Sequence, residues 1–390
     1  MSKILHFSHK PAFPLRDGGC VAISSVLKSL ISQPQNDIYH FTLATTKHPF
    51  ERDDYPSSWI KKMEIDHFQV NTRTDLMGAI YYLFRDKSYN IGRFKDKQLY
   101  KRLKQLLEAE KFDIIILDSL YTTPYLSLFR EHCDKIIMRA HNVEHLIWKQ
   151  LAKGQKFSIK RWYFNRLSKQ LKRYEDSTIQ SLDGIIAITE GDAQYFHRFT
   201  PAVTVTAIPT AVKTNFDNPN YSKEDFYFLG AMDWLPNKEG VHWLLTRVLP
   251  EGLKGGTLHI AGKSLQPDEI KHENVTCHGE VKDARQYINQ HGICVIPMLS
   301  GSGIKIKLLE NMAMAKPIIT TSEGVRGVEV KHGREVLIAD TPEAFREQMY
   351  ALLIDEKKRK ALGQAAKKFV IHNYGEEKIT RRINSFIHDV

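Results

Sequence analysis

The sequence is poor in cysteine, and its four cysteines are scattered at positions 20, 133, 277 and 294. No two of them form the Cys-x-x-Cys pair that is typical of zinc ribbons and thioredoxin-like redox sites. Neither a disulfide framework nor a cysteine-based zinc site is therefore indicated. Because Cys294 lies within a predicted strand, we expect the cysteines to serve as small apolar residues in a reducing compartment.

Long hydrophobic runs are lacking as well. No apolar stretch approaches the roughly 20 residues that a membrane-spanning helix needs. Residues 1–7 enter a strand-like pattern without the apolar core of a signal peptide, so we expect a cytoplasmic protein. With 42% hydrophobic and 26% charged residues in a chain of 390, the composition is neither that of a disordered chain nor that of a membrane-embedded one.

Internal repeats and low-complexity tracts are also absent. Instead, short β-branched apolar segments alternate with amphipathic stretches, a pattern typical of a parallel sheet covered by helices. A chain of this length exceeds the usual limit of a single core, which predicts two α/β domains of roughly 200 residues each. The predicted strands are 4–7, 38–44, 113–118, 135–140, 184–188 and 203–208 in the first half, and 226–229, 257–261, 275–277, 293–296, 317–320 and 336–339 in the second.

A segment rich in proline and asparagine separates the two sets of strands. It predicts a linker at 209–222, between one Rossmann-like domain at 1–208 and another at 223–372. Residues 373–390 have a helix-like pattern. Ligands bind at the carboxyl ends of strands in such sheets, so we expect two parallel sheets that face each other across a cleft lined by strand ends.

The most informative segment is a glycine loop that follows the predicted strand 293–296. Gly301 and Gly303 precede apolar residues at 304, 308, 309 and 312, which have helical spacing. Glycines let a ligand approach the backbone, and a helix beginning near Ile304 would direct free N–H groups at an anion such as a phosphate. An ordinary strand-to-helix turn would carry the same glycines, so the loop alone leaves both interpretations open.

Charged side chains accompany this loop. Lys305 and Lys307 add positive charge near the predicted helix start. Glu310 follows about two turns into the helix, where its carboxylate can accept hydrogen bonds from sugar hydroxyls. The combination favours a ligand with both a phosphate and a sugar.

The segment Glu-Asn-Met-Ala-Met-Ala-Lys-Pro-Ile-Ile-Thr-Thr, which begins at Glu310, is similar to the nucleotide-sugar signature of retaining glycosyltransferases of family 4. The family architecture of two Rossmann-like domains is called GT-B. The resemblance implies that Lys305 and Glu310 are catalytic and that Ser302, Gly303 and Ile304 contact the donor. It also implies that residues 373–390 cross back to the first domain.

One position departs from the family pattern. Many members carry a further glutamate before the one that matches Glu310, and counting back eight residues gives Ser302 in this chain. In the family that glutamate lies near the hydroxyls of the transferred sugar. In this chain three alternatives are open: its contacts pass to backbone amides, they pass to Ser300 or Ser302, or they are lost.

Other strand ends match family turns. Gly18 and Gly19 precede a predicted helix, and the matching loop in the family faces the donor diphosphate and the acceptor. The turn His278-Gly279-Glu280-Val281 follows a strand as the family's base-recognition turn does, so the resemblance assigns Val281 to the base. A plain turn remains the alternative for the glycine pair.

The turn from Phe228 to Gly240 resembles the one that opens the donor domain of the family. The resemblance assigns Asn237 and Lys238 to the donor. Many members have an arginine beside the glycine of this turn, where this chain has Ala231. We therefore expect Lys238, Lys263 or Lys305 to balance the charge of the diphosphate, with Lys263 and Lys305 ranked first.

The strand end Arg139-Ala140-His141-Asn142-Val143-Glu144-His145 permits two functional interpretations. His141, Glu144 and His145 fit an inverted zincin motif, provided that His141 lies within a helix. Alternatively, Arg-x-His-Asn-x-Glu after a strand is similar to the family 4 pattern, in which the histidine contacts the donor sugar and Arg139 and Asn142 assist. We favour the sugar interpretation, and a purely structural histidine remains open.

The expected function is transfer of a hexosyl group from a UDP- or GDP-sugar to a glycan or lipid-linked acceptor, in polysaccharide or cell-envelope biosynthesis. Retention of configuration is implied by the resemblance alone. No cofactor or metal is expected, because lysines and amides can stabilise the departing diphosphate. A zinc peptidase, a basic binding protein and a sugar-nucleotide epimerase of the same fold are the alternatives.

The net charge of +11 points to an anionic partner. Nine basic residues and no acidic one lie between positions 149 and 173, interleaved with aromatic residues from Trp148 onward. A helix of this kind at 148–173 suits peripheral contact with an anionic membrane. A long solvated helix with core aromatics is the alternative, and no recognisable nucleic-acid module accompanies the patch.

Overall fold

The structure is a computed structural model that describes residues 2–73, 75–85, 87–155, 157–217, 219–253, 255–267, 269–301 and 303–390. It contains two parallel sheets. The chain divides into two units. The first comprises Met1–Ala211 together with Ile379–Val390, and the second comprises Val212–Lys378. The point of division falls inside the segment that the sequence predicts as a linker.

The first unit contains a seven-stranded sheet in the order β3-β2-β1-β4-β5-β6-β7, with every neighbouring pair parallel. Its elements are β1 (Ser2–Ser8), α1 (Gly18–Ile31), β2 (Asn36–Ala44), α2 (Ser57–Ile60), β3 (Met63–Gln69), α3 (Leu76–Phe84), α4 (Tyr89–Gly92), α5 (Lys97–Ala109), β4 (Ile114–Asp118), α6 (Leu126–Arg130), β5 (Lys135–Ala140), α7 (Glu144–Lys153), α8 (Ser158–Ile179), β6 (Gly184–Ala187), α9 (Glu190–Phe199) and β7 (Thr204–Ala207).

The second unit contains a six-stranded parallel sheet in the order β10-β9-β8-β11-β12-β13. Its elements are β8 (Phe226–Leu229), α10 (Leu235–Trp243), β9 (Leu258–Ala261), β10 (Val275–Gly279), α11 (Ala284–Gln290), β11 (Ile293–Ile296), α12 (Ile306–Ala313), β12 (Ile318–Thr320), β13 (Leu337–Ile338), α13 (Pro342–Ile354) and α14 (Glu356–Tyr374). The last helix, α15 (Glu376–Asp389), belongs to the first unit from Ile379 onward.

The predicted fold class is confirmed, and all twelve predicted strands are present with ends that differ by at most two residues. The sequence prediction missed β3. In that strand only Met63 and Ile65 are buried, and polar residues alternate with them at the edge of the sheet. An edge strand of this kind lacks the continuous apolar run by which the buried strands were recognised.

Helix α15 completes one hydrophobic face of the first unit. Ile379, Ile383 and Ile387 are almost fully buried, in one cluster with Ile23 and Leu27 of α1. The Nδ2 atom of Asn36 also donates to Oδ1 of Asn384 over 3.1 Å, within this interface. The terminal helix is therefore a structural part of the first unit.

In the second unit, α14 packs closely against α12, the helix that follows the glycine loop. The contact depends on Gly363, because a Cβ atom at this position would lie 2.0 Å from the carbonyl oxygen of Ala315. That oxygen belongs to the backbone just beyond α12 and cannot move aside as a flexible side chain would. The glycine thus fixes the position of α12 from behind.

We predict that Gly363→Ala destabilises the second unit. Alanine is favoured over glycine within helices by about 1 kcal/mol, but the clash with a backbone oxygen should cost about 1–3 kcal/mol beyond that gain. Urea unfolding of the variant should show a lower midpoint than wild type. The exposed neighbour Gln364→Ala should change the free energy of unfolding by no more than about 0.5 kcal/mol, and equal stability of all three proteins would contradict the packing described.

Candidate active site

In the first unit, the strand ends of β4 and β5 bring His141 and Asp118 together. His141 follows β5, and its Nε2 atom is hydrogen-bonded to Oδ1 of Asp118 at the end of β4. The second carboxylate oxygen of Asp118 lies 3.0 Å from Nε2 of His6 on β1. Asp118 and His6 are fully buried, whereas the side chain of His141 retains 11% exposure. Of the three residues, His141 is the one that a ligand can reach.

The polar contacts continue across the sheet from His6. Its Nδ1 atom lies 3.0 Å from Nδ1 of His40, and Nε2 of His40 lies 3.2 Å from the hydroxyl of Tyr55. His40 and Tyr55 are both buried. His141 is therefore the accessible end of a hydrogen-bonded chain that runs through Asp118, His6 and His40 to Tyr55.

The negative charge of Asp118 is stabilised by this chain. Burial alone would raise the pKa of the carboxyl group, but His141 and His6 reverse that effect and hold the pKa well below its ordinary value. Burial lowers the pKa of His40 well below its ordinary value, and it lowers that of His9, whose Nδ1 is 3.1 Å from the Asp118 carbonyl, to about 3. Asp118 is thus ionised at neutral pH, and His40 and His9 are neutral there.

The zincin arrangement is not formed. Helix α7 begins at Glu144, so His141 lies in the bend before the helix and does not share a helical face with His145. The Nδ1 atom of His145 is 2.6 Å from Oε2 of the buried Glu175. The carboxylate of Glu144 accepts a 2.7 Å hydrogen bond from Tyr121. The peptidase hypothesis required His141 inside a helix, and this requirement fails.

Burial raises the pKa of Glu144 to about 7, although its hydrogen bond from Tyr121 opposes the shift and the neighbouring Glu175 adds to it. The side chain of Asn142 also contacts this carboxylate. Asn142 is partly exposed at the strand end, next to His141.

The sequence predicts that Arg139 binds the donor, whereas the structure encloses its side chain within the first unit. It is 1% exposed, and its Nη1 atom donates to the carbonyl oxygen of Ile208 inside the unit. Burial lowers its pKa to about 10, while Asp118, its register partner on β4, opposes the shift. The Nε and Nη2 atoms of Arg139 have no hydrogen-bond partner in the described part of the chain, so Arg139 supports the strand ends through Nη1 alone, and its role in donor binding stays a prediction.

The sequence predicts that Gly18 and Gly19 precede the helix, but α1 begins at Gly18, so both lie in its first turn, and a side chain already occupies this helix end. The Oδ1 atom of Asp17 accepts hydrogen bonds from the amides of Gly19 and Cys20 and from Nζ of Lys10 at 2.6 Å. A Cβ atom at Gly19 would lie 2.5 Å from Lys10 Nζ. An acidic cap takes the place that the prediction gave to a diphosphate at this end.

In the second unit, two glycines bring the ends of β8 and β9 into close contact. A Cβ atom at Gly262 would lie 1.8 Å from the carbonyl oxygen of Gly230, which is far shorter than any nonbonded contact, so only glycine fits at this position. The amide of Gly230 donates to the carbonyl oxygen of Ala261 over 3.1 Å. These strand ends therefore form a closely packed surface, and the side chains of Asn237, Lys307 and Phe228 fill the space beside Gly230.

Asn237 and Lys307 lie beside this surface. Nδ2 of Asn237 donates to the carbonyl oxygen of Ala231 over 2.7 Å, and its Oδ1 accepts from Nζ of Lys307 over 2.6 Å. Burial lowers the pKa of Lys307 to about 8, with Cys294 opposing and Lys305 adding to the shift. Asn237 is 2% exposed, so its role is to hold Lys307 and the Ala231 turn.

Lys305 is also placed differently from its prediction. It is 4% exposed, and its Nζ atom donates to the carbonyl oxygen of Gly303 over 3.0 Å and lies 3.4 Å from Oε1 of Glu323. Burial lowers its pKa, while Glu323 opposes the shift. Lys305 thus stabilises the glycine loop from within and does not present its charge at the surface.

Helix α12 begins at Ile306, two residues later than the sequence suggests, and its N-cap residue Lys305 makes no side-chain capping bond. Amides in the first turn of a helix without a cap remain available to an anion. Glu310 lies one turn further along on the exposed side of the helix.

The remaining predicted residues lie at the same carboxyl edge of the second sheet. Lys238 on α10 and Lys263 after β9 are exposed, Val281 after β10 is partly buried, and Ile304 is partly buried in the glycine loop. Gly303 has a φ of 70°, which favours glycine. Ser302 lies outside the described residues.

Sequence inspection missed Asp118, His6 and His40 as partners of His141, and Glu323 as the partner of Lys305. A signal was present for the first group. A charged residue at the end of the apolar strand 114–118, and histidines alternating with apolar residues in β1 and β2, are costly to bury without partners. Glu323 follows no such pattern, because its pairing depends on how the loop folds.

Two family profiles match the chain. One, described as Glycosyltransferase Family 4, matches residues 59–216. The other, described as Glycosyl transferases group 1, matches residues 223–355. Together they cover parts of both units.

Similar proteins extend over nearly the whole chain. An uncharacterised 44.6 kDa protein in the cps region of Klebsiella pneumoniae is 22% identical, over 97% of this chain and 98% of its own length. Sucrose-phosphate synthase from Thermosynechococcus elongatus has a TM-score of 0.71 at 14% identity, covering 100% of this chain and 99% of its own. HepE from Anabaena in complex with UDP-glucose has a TM-score of 0.66 at 11% identity, with full coverage of both chains.

We predict that Asp118→Asn destabilises the protein in a pH-dependent way. The native pKa of Asp118 is depressed, so the carboxylate contributes stability above its unfolded pKa of about 4, and that contribution is lost as the pH falls further. The free energy of unfolding of wild type should exceed that of the variant by about 2–4 kcal/mol at pH 7, and the difference should be smaller at pH 3. Chemical denaturation at both pH values measures this difference.

The exposed Asp53→Asn provides the control for the general effect of removing one acidic charge. It should shift stability by no more than about 0.5 kcal/mol at either pH. A difference between wild type and Asp118→Asn that stays constant from pH 7 to pH 3 would show that the carboxylate is not held in its ionised form.

Proposed function

The chain is a family 4-like glycosyltransferase with a GT-B fold, and we propose that it transfers a hexosyl group from a UDP- or GDP-sugar to a glycan or lipid-linked acceptor. The observation that carries this proposal is the carboxyl edge of the second sheet. There the uncapped start of α12 lies with Lys307, whose Nζ atom lies close to Gly230 and donates to Asn237. A pyrophosphate needs both amide donors and a nearby cation.

Lys307 is the cation that we assign to the diphosphate in place of Lys305. Lys305 is occupied by loop carbonyls and Glu323, whereas Lys307 is half-buried and its Nζ would lie 2.8 Å from a Cβ at Gly230. Lys238 and Lys263, both exposed, supply further charge at the same edge. This set compensates for Ala231, which replaces the arginine of many family members.

Catalysis in this proposal is mainly electrostatic. Amides and lysines that are already oriented stabilise the negative charge that grows on the departing diphosphate, without a metal ion or other cofactor. Glu310 accepts hydrogen bonds from sugar hydroxyls. We propose retention of configuration, with the acceptor attacking the face from which the diphosphate leaves. Lys305 contributes by holding the loop in shape.

His141 is the residue of the first unit that we assign to sugar binding. Its Nε2 atom is fixed by Asp118, so its Nδ1 atom remains for a hydroxyl group. Asn142 beside it is partly exposed and can add a second contact. Gly18 and Gly19 remain candidates for the acceptor side.

The class of acceptor is suggested by the Klebsiella pneumoniae relative, whose name places it in a cps region. We propose a role in capsule or other polysaccharide biosynthesis. HepE was solved with UDP-glucose, which supports a nucleotide sugar as donor and places UDP-sugars first in any screen. A sugar-nucleotide epimerase would convert the donor without an acceptor, so dependence of turnover on an acceptor separates the two activities.

Peripheral membrane contact is a further part of the proposal. No helix within the described ranges is long and apolar enough to cross a bilayer. However, α3 and the start of α8 carry exposed apolar side chains, and Gln170 of α8 donates to carbonyl oxygens at the end of α3. We call these side chains the apolar surface: Met77, Tyr81, Phe84, Phe157, Ile159 and Trp162.

The charge around the apolar surface suits anionic lipid. Residues 146–174, which form most of α7 and α8, contain basic but no acidic side chains. Lys156, which the sequence includes in this basic run, lies outside the described residues. Apolar side chains can enter the interface while lysines and arginines remain at the headgroups, each contributing about 1 kcal/mol near an anionic surface.

Ligand binding tests the proposed function. Among UDP- and GDP-sugars, at least one should raise the midpoint of thermal unfolding, by the equivalent of about 2.7 kcal/mol at 100 times its Kd. Lys307→Met should remove most of this effect, and the exposed Lys357→Met should keep it. Because the pKa of Lys307 is about 8, ligand binding by wild type should weaken as the pH rises through that value.

Glu310→Gln refines the same test. The variant should bind the free nucleoside diphosphate as wild type does, but lose the additional affinity that the sugar provides, by about tenfold for one hydrogen bond to a charged group. Should no nucleotide sugar stabilise the wild-type protein, or should Lys307→Met respond as wild type does, the site assignment is wrong.

Membrane contact is tested by co-sedimentation with vesicles. Wild type should bind vesicles rich in anionic lipid, with less binding at high salt, and should not bind neutral vesicles. The triple change Phe157→Ser, Ile159→Ser and Trp162→Ser should reduce binding by at least about tenfold. Ile354→Ser, at an equally exposed isoleucine of the second unit, is the control. Unchanged vesicle binding by the triple variant would show that the apolar surface does not contact the membrane.

A further inference from the structure

Three histidines of the second unit converge where β9, β10 and the end of α11 meet. His259 lies on β9, His278 near the end of β10, and His291 directly after α11. One ring nitrogen from each lies within 4.8 Å of those of the other two. The Nδ1 atom of His259 is 2.9 Å from Nε2 of His278, and the rings of His259 and His291 stack with centroids 4.2 Å apart.

A carboxylate lies behind the histidines. Oδ2 of Asp225 accepts a hydrogen bond from Nδ1 of His291 and lies 3.7 Å from Nε2 of His259. Oδ1 of Asp225 accepts from the amide of Gly292 over 2.8 Å, which fixes the carboxylate. Histidines that bind metals usually donate their other ring nitrogen to such a carboxylate. The nitrogens left for a ligand are Nδ1 of His259, Nε2 of His291 and a ring nitrogen of His278.

A second, independent observation indicates that the cluster accommodates a further polar group. Tyr287 of α11 is 4% exposed, and its hydroxyl has no hydrogen-bond partner in the described part of the chain. Its ring lies 4.6 Å from that of His291 and 5.5 Å from that of His278, measured between centroids. A buried hydroxyl without a partner is destabilising, and a metal-bound water in the cluster would supply the missing hydrogen bond.

From this geometry we propose that His259, His278 and His291 form a binding site for a divalent transition metal of the zinc class, with Asp225 orienting the ligands. Three imidazoles with an open fourth position are a recognised zinc donor set, and nitrogen donors disfavour Mg²⁺ and Ca²⁺. Metal–nitrogen bonds of about 2.0–2.1 Å place tetrahedral ligand nitrogens roughly 3.3 Å apart. The 2.9 Å between Nδ1 of His259 and Nε2 of His278 is already close to that value, and the third nitrogen lies within 4.8 Å of both.

The surroundings allow an ion to enter and remain. His278 is exposed and His259 half-buried, which gives access from solvent, while His291 is buried. The Nζ atom of the nearby Lys316 donates to the carbonyl oxygen of His291, so it contacts the backbone of this residue and not its ring.

The role we assign to this ion is structural. The ion would join β9 and β10 to the end of α11. Its ligand on β10, His278, directly precedes Gly279, so the ion would restrain the turn that leads to Val281. The site is independent of the proposed glycosyl transfer, which we attribute to lysines and amides at the glycine loop. It can therefore be tested by metal binding alone.

The experiment measures zinc binding to the full chain after treatment with a chelator and gel filtration. Wild type should take up one equivalent of Zn²⁺ in competition with a chromophoric chelator, and zinc should raise its thermal midpoint. With Co²⁺, the visible absorption bands of a low-symmetry nitrogen site should appear. His278→Ala should weaken binding by at least about 100-fold, and Asp225→Asn by about 10–100-fold.

The control is His372→Ala, which removes an exposed histidine of α14 in the same unit. It should bind zinc as wild type does. His278 is exposed, so its replacement should leave the fold intact, and circular dichroism checks this. Equal zinc affinity in wild type and His278→Ala, or no zinc retained by wild type, would overturn the inference and leave a cluster held by hydrogen bonds alone.

Discussion

A charge that is removed from water must be paired, and this constraint shapes the strand ends of both units. In the first unit the buried charge is Asp118, and two histidines share its carboxylate. In the second it is Lys305, held by loop carbonyls and Glu323. The pairing of Asp118 fixes the backbone near His141, which remains accessible. The pairing of Lys305 fixes the glycine loop at the start of α12.

The second unit adds a steric constraint to the electrostatic one. At Gly262 and Gly363 a single methyl group would collide with a backbone oxygen. The first contact holds the ends of β8 and β9 together, and the second fixes α12 against α14. Loops that bind ligands are usually among the least stable parts of a protein, so rigid backbone contacts at these points preserve the geometry on which amide donors depend.

The sequence was sufficient for the fold because buried parallel strands have a continuous apolar pattern, as in residues 114–117 and 293–296. It was insufficient for β3, whose alternating pattern reflects one exposed face. Among the candidate site residues, the sequence identified which strand ends matter but not where each side chain points. Lys305 and Arg139 carry the expected charge, yet both are turned inward, because their orientation depends on partners distant in sequence, Glu323 and Ile208.

The course of the chain has a consequence for its biogenesis. The polypeptide leaves the first unit at Ala211, completes the second, and returns with α15. During translation the first unit therefore waits, with the apolar face of α1 uncovered, until the ribosome has made Ile379, Ile383 and Ile387. The first unit therefore cannot complete its hydrophobic core until the whole of the second unit has been synthesised, which departs from the usual order in which the N-terminal domain folds first.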